Sequence, residues 1–226
     1  MEARKVAKEK QPKDASQSQV ALNQPADEFL DALSPVIENL RRMLGAARHA
    51  FNRNSVEDLQ ELTRLREVTS QGIKATLEQI ESATAARPEA ERVPLVRLHE
   101  ILNHLNLICE NIAALGEPLR KKMIDKLLFT DKAFFDVNYV FTHQTGLMRS
   151  LLDFLKTDNP LLRKYVEEEA QNLIQGCLNA ATEHENRLIE GICLPQASPV
   201  FLGLLDHMRL ICRHVLGVVK LRGGKS

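Results

Sequence analysis

One apolar pattern occurs twice in this chain. Leu98, Ile101, Leu105, Ile108, Ile112 and Leu115 recur in steps of 3, 4, 3, 4 and 3, and Phe201, Leu204, Met208, Ile211, Val215 and Val218 repeat those steps at a constant offset. Such spacing puts every apolar residue on one stripe of an α-helix and gives a coiled-coil-like seam. The likeness goes beyond hydrophobicity. LNHLNLICENIAAL, residues 102–115, aligns without gaps on LDHMRLICRHVLGV, residues 205–218, and five of the 14 positions are identical. Two unrelated amphipathic helices would share roughly one or two, so the chain reads as a duplication. Upstream, Gln71-Gly72 meets Gln175-Gly176 and Asn54 meets Asn159, with an offset that drifts by a residue or two.

Each half then reads as three long helices. From Asp27 the residues Phe29, Leu30, Leu33, Ile37, Leu40 and Leu44 define a first helix that ends near Ala50. Asn54 and Ser55 supply N-cap chemistry for a second, marked by Val56, Leu59, Leu62, Leu65, Ile73, Leu77 and Ile80. The third follows a break between Arg87 and Pro94 and carries the first seam. Gly116 and Pro118 interrupt it, and Arg120 to Leu128 forms a connector or the start of a fourth helix through Phe134, Val137, Val140, Phe141, Leu147, Leu151 and Leu155. Thr157, Asp158 and Asn159 before Pro160 mark a fifth helix start. This helix holds Leu162, Val166, Leu173, Cys177 and Leu188, and a sixth runs from Pro195 or Pro199 to about Leu221. Period-two alternation is nearly absent, so strands are disfavoured. The expected architecture is all-α: tandem duplicated three-helix units in an elongated antiparallel six-helix bundle, because connections this short return the chain to a neighbouring position. Residues 1–25 are expected as a mobile polar tail, 26–118 and 119–222 as the two repeats, and 223–226 as a loose end.

Composition narrows the function classes. The 226 residues hold 30 Lys+Arg against 30 Asp+Glu, so no global field attracts nucleic acid or an anionic membrane. Aromatics are 4% with no Trp, too few for a base-stacking platform. No apolar run reaches the roughly 20 residues that cross a bilayer, and Met1 to Gln24 lacks a secretory apolar stretch. A cytoplasmic location without membrane insertion is expected. Cys109, Cys177, Cys193 and Cys212 have no metal-binding spacing and are expected as buried reduced thiols.

The duplicated three-helix plan, with an Asp/Asn-His pair on each third helix, resembles the PhoU family of phosphate-uptake regulators. HEILNHLNLICE (residues 99–110) and LGLLDHMRLICR (202–213) fall on that family's E-R-I-G-D-H-A-x-N-I-A-E pattern. The resemblance covers about Asp27 to Leu221 and implies a non-enzymatic regulator. Such a regulator would bind proteins, a phosphate transporter component or a sensor kinase, and would need no cofactor. PhoU-like domains also occur at the cytoplasmic ends of sodium/phosphate cotransporters, which leaves a transporter-associated soluble domain as an alternative. The family's Glu and Asp, four residues apart on one face, converge on a metal ion as hard oxygen ligands. Here those positions are His99 and Asn103 in the first repeat and Leu202 and Asp206 in the second. Neither repeat keeps two carboxylates, so no metal is expected there.

The competing class is a metal-dependent helical-bundle enzyme or store with His99, Glu100, His104, Asp206 and His207 as ligands. A ferritin-like site wants Glu-x-x-His pairs on facing helices, and no good pair is present. His99-Glu100 followed by His104 mimics a zincin motif, but its second His comes five residues on, rotated about 140° from the first. No nucleophile elbow, phosphate loop or dinucleotide fingerprint occurs. Glu183, His184 and Glu185 read as a solvated helix face. His104 and His207 are expected to hydrogen-bond between helices.

Charge is uneven along the chain. After Asp206 there is no acidic residue, with Arg209, Arg213, Lys220 and Arg222 as candidate partner-binding residues, while Glu167, Glu168 and Glu169 form an acidic counterpart. The helix dipole accounts for part of the basic run. Opposed patches of this kind also suit self-association into a homodimer.

Overall fold

The computed structural model describes the backbone of residues 15–223 and the side chains of 29–223. Six long helices and one short one follow in order: α1 (Ala15–Arg53), α2 (Val56–Ala85), α3 (Val93–Ala114), α4 (Gly116–Ile124), α5 (Asp131–Thr157), α6 (Pro160–Ile189) and α7 (Ser198–Arg222). Short 3-10 turns at Glu89–Glu91 and Pro195–Ala197 lead into α3 and α7. Among the described residues there is no strand. The all-α duplicated bundle read from the periodicity is the fold observed.

The two hairpin turns show the duplication in backbone detail. Asn54 and Asp158 both adopt left-handed backbone, with φ of 53° and 49°, a conformation that short polar side chains tolerate best after glycine. The next residue caps the following helix in both cases: Ser55 accepts from the Asp58 amide, and Asn159 accepts from the Leu161 amide. Asn54 therefore corresponds to Asp158, not to Asn159, and the offset at this turn equals that of the Gln-Gly pair. The drift between anchors shrinks to a single residue. Burial follows the same register. Leu33, Ile37, Leu44 and Ala47 of α1 correspond to Val137, Phe141, Met148 and Leu151 of α5, and all are buried.

Helices α1, α2 and α3 pack on one another, α7 packs on α5 and α6, and α5 packs on α6; α1–α5 and α3–α7 contacts join the halves. Within the first half the antiparallel sense of α2 and α3 shows in polar contacts that run in reverse order, Arg66 to Glu110 and His99 to Glu81. Two boundaries differ from the sequence reading. Helix α1 begins at Ala15 and not near Pro25, while residues 1–14 of the expected tail lie outside the described residues. At the other end Gly223, expected in the loose terminus, is held by Arg163, whose Nη1 donates to its carbonyl at 2.9 Å.

The connector between repeats is a helix of its own. Leu115 alone separates α3 from α4, and Pro118 sits in the first turn of α4, where its missing N–H costs nothing. Buried Lys122 anchors α4: its Nζ donates to the Phe51 carbonyl at 2.9 Å and to Asn54 Oδ1 at 2.6 Å. These partners sit at the C-terminus of α1, where a cation is favoured by the dipole and by orphan carbonyls. The Phe51 ring lies beneath the ammonium and meets Phe129, Phe134 and Phe141, with centroids 5.2–6.4 Å apart.

The second half buries polarity where the first buries hydrocarbon. Gln144, the counterpart of Leu40, is wholly buried. Its Nε2 donates to the Met208 carbonyl at 2.6 Å, but its Oε1 has no partner. An orphaned buried acceptor costs about 1–3 kcal/mol. Gln144→Leu, which restores the side chain of the first repeat, is expected to stabilise the protein by about 1 kcal/mol. A raised urea midpoint at unchanged slope would show it, and a lowered midpoint would contradict it.

Candidate functional site

The seam predicted from the duplicated pattern is where α3 and α7 meet. Leu98, Ile101, Leu105, Ile108 and Ile112 face inward on one side, and Phe201, Leu204, Met208, Ile211 and Val215 on the other, all buried. Polar residues flank this stripe in two pairs. His104 Nδ1 lies 3.2 Å from His214 Nδ1, and His207 Nδ1 lies 3.2 Å from Asn111 Oδ1. His207 is the repeat counterpart of His104, and His214 is the counterpart of Asn111. The two contacts are therefore one contact repeated by a pseudo-two-fold axis, as an antiparallel pair of like helices requires. The interhelical role expected of His104 and His207 is what the geometry gives them.

Burial sets the chemistry of this seam. It lowers the pKa of His104, against an opposing pull from Glu100, and it lowers that of His214, aided by the neighbouring His104. Gly217 completes the arrangement. A Cβ there would lie 2.4–2.8 Å from three atoms of the His104 ring, so the bare backbone is what leaves the ring its place. The thiols nearby are inert: Cys109, Cys177 and Cys212 are buried and unpaired, and burial pushes each up to about 12.

The motif positions do not assemble into a metal centre. His99 contacts Glu81 through Nε2 at 3.4 Å and Asn103 through Nδ1 at 3.2 Å. Leu202 packs partly buried against the core, and Asp206 is paired with Arg209 at 2.9 Å. The first repeat thus offers an imidazole and an amide, and the second a single carboxylate beside a guanidinium. Hard-cation coordination needs several convergent oxygens, and this donor set does not fit it. Among the described residues no three His, Cys, Asp or Glu form a metal-holding group, so His99, Glu100, His104, Asp206 and His207 are not gathered into one site.

The basic run divides in two. Positions 209, 213 and 220 fall within roughly 40° of one another at about 100° per residue, giving one stripe along α7. Arg213 and Lys220 are exposed on it, and Arg209 is partly exposed. Arg222 lies off that stripe and is partly buried, with an Nε that has no partner.

His184 departs from its sequence reading. It is 1% exposed and stacks on Phe201 at 4.6 Å between centroids, so it belongs to the core and not to a solvated face. Its spacing from Cys177 and Ala180 carried that signal, since the three share the apolar stripe of α6. A second feature was also missed. Phe135, Tyr139 and His143, at steps of four on α5, form an exposed stack with centroids 6.3 and 4.1 Å apart, closed by His143 Nδ1 against Glu169 Oε1 at 2.6 Å. Phe135 is 64% and Tyr139 47% exposed. Their counterparts Asp31, Pro35 and Asn39 are not aromatic, so the stack belongs to the second repeat alone.

Solved structures of other proteins share this fold. PhoU from Pseudomonas aeruginosa superposes with a TM-score of 0.79 at 12% identity, over 89% of this chain and 96% of that one. The chain has a PhoU-like fold. The phosphate transport system regulatory protein PhoU from Streptococcus pneumoniae agrees, with a TM-score of 0.74 at 9% identity over 90% and 94% of the two chains. No protein-family model and no curated protein sequence matches. The PhoU-like fold is thus carried by packing pattern and not by shared residues. Among the described residues no helix is long and apolar enough to cross a membrane.

Proposed function

We propose that this chain is a PhoU-like cytoplasmic regulator that binds proteins of a phosphate-transport or phosphate-signalling system and catalyses no reaction. The observation that carries the reading is the likeness to a phosphate transport regulatory protein across nine-tenths of the chain. The scattered motif residues and the inert thiols add to it, since neither supplies a convergent set of reacting groups. The exposed stripe of Arg209, Arg213 and Lys220 is the partner-facing surface in this proposal, suited to an acidic face on a transporter component or sensor kinase. A soluble domain that works beside a sodium/phosphate cotransporter is the same reading with a different transporter.

Co-purification from phosphate-starved and phosphate-replete cells tests it. Transporter or kinase components are expected, in amounts that change with phosphate. The double substitution Arg213→Glu, Lys220→Glu, at the two exposed positions of the stripe, should release them while changing stability little, because exposed positions tolerate exchange. A partner set that ignores phosphate and contains no transport or signalling component overturns the reading.

A further inference from the structure

The pseudo-two-fold seam offers an internal comparison. At one of its two equivalent points an imidazole faces an amide oxygen, His207 to Asn111, and a single N–H satisfies both groups. At the other point two imidazoles face each other through Nδ1 at 3.2 Å, with ring centroids 5.4 Å apart. Two nitrogens bound to one tetrahedral metal at about 2.0–2.1 Å stand about 3.3 Å apart, so the spacing of these donors already suits a shared ion. With the rings aligned nearly head-on, seating the ion takes a modest outward tilt of each. Both side chains are only partly buried and can be reached from solvent along the seam. Glu100 stands one turn before His104 on α3, near enough for its charge to act on that ring.

We propose that His104 and His214 form a chelating site for a borderline divalent transition metal, one that clamps α3 of the first repeat to α7 of the second. Imidazole pairs suit zinc, copper and nickel better than calcium or magnesium, which prefer oxygen. Water fills the remaining positions, and this makes the site open and exchangeable, unlike a closed four-ligand structural centre. Imidazole ligates in its neutral form, and burial acts on both rings in that direction. The site is separate from the motif positions His99, Asn103, Leu202 and Asp206, and it does not depend on the regulatory reading.

The test is a zinc titration of the full chain, followed by calorimetry and thermal melting, with cobalt absorbance as a spectroscopic readout. One zinc per chain is expected, with a Tm that rises until the site saturates. His104→Asn and His214→Asn should each weaken binding on the order of tenfold or more. Both leave an amide–imidazole pair of the kind present at the other point of the seam, so both are expected to fold, and each serves as a check on the other. His99→Asn and Asp206→Asn should leave binding unchanged. Asn111→His, which copies the two-imidazole arrangement beside His207, should add a second bound ion. Absence of binding by the unmodified chain, or binding that survives both His104→Asn and His214→Asn, overturns the proposal.

Discussion

Truncation of Phe51 to alanine is expected to cost about 3–5 kcal/mol, the range for removing a fully buried aromatic from a packed core. Phe51 has no exposed surface and touches three other phenylalanine rings, two on α5 and one on the strand-free link between α4 and α5. It therefore joins the last turn of α1 to the second repeat. The cavity would open between the halves, where neighbouring helices are held from both sides and collapse poorly. For a chain of this size the loss corresponds to a Tm drop on the order of 10 °C. Phe51→Leu, which keeps much of the volume, should cost well under half as much. A melting curve for Phe51→Ala within a degree or two of the parent would show that the junction is not a cooperative part of the fold.

The second large effect is expected at Lys122, above the same ring. Lys122→Met keeps the aliphatic stem but removes two charge-assisted hydrogen bonds, to the Phe51 carbonyl and to Asn54 Oδ1. Bonds of this type contribute about 1.5–3 kcal/mol each when measured singly. Against them stands desolvation: burial lowers the pKa of Lys122, a sign that the ammonium loses water on folding. The net cost should be about 2 kcal/mol, read as a lower urea midpoint. The defect is local, so hydrogen exchange should rise in α4 and the last turn of α1 and stay unchanged at the α5–α6 turn. An unaltered midpoint would mean that desolvation cancels both bonds.

These two residues illustrate how the sequence could be read and where it fell silent. Phe51 lies one residue beyond the end set for the first helix, and Lys122 was one of several lysines in a connector. Nothing local marks that lysine as buried. Its burial follows from α4 folding back across the end of α1, a contact between residues 71 positions apart. His184 shows the converse. Its place on the apolar stripe of α6 was legible, but its polarity and the acidic residues on either side pointed to solvent.

The amino-acid sequence by itself determined the helices, their inward faces and the duplication, because a period of 3.6 and a recurring seam are local properties written in consecutive residues. Both seams, with the expected buried stripe, are present as read. Tertiary structure alone decided which seam meets which, and in what register. All the apolar stripes are chemically alike, so the choice among partners rests on the summed packing of the whole bundle and not on any one segment. That choice set α3 antiparallel to α7, placed His104 opposite His214 over the bare backbone of Gly217, and left His207 with Asn111.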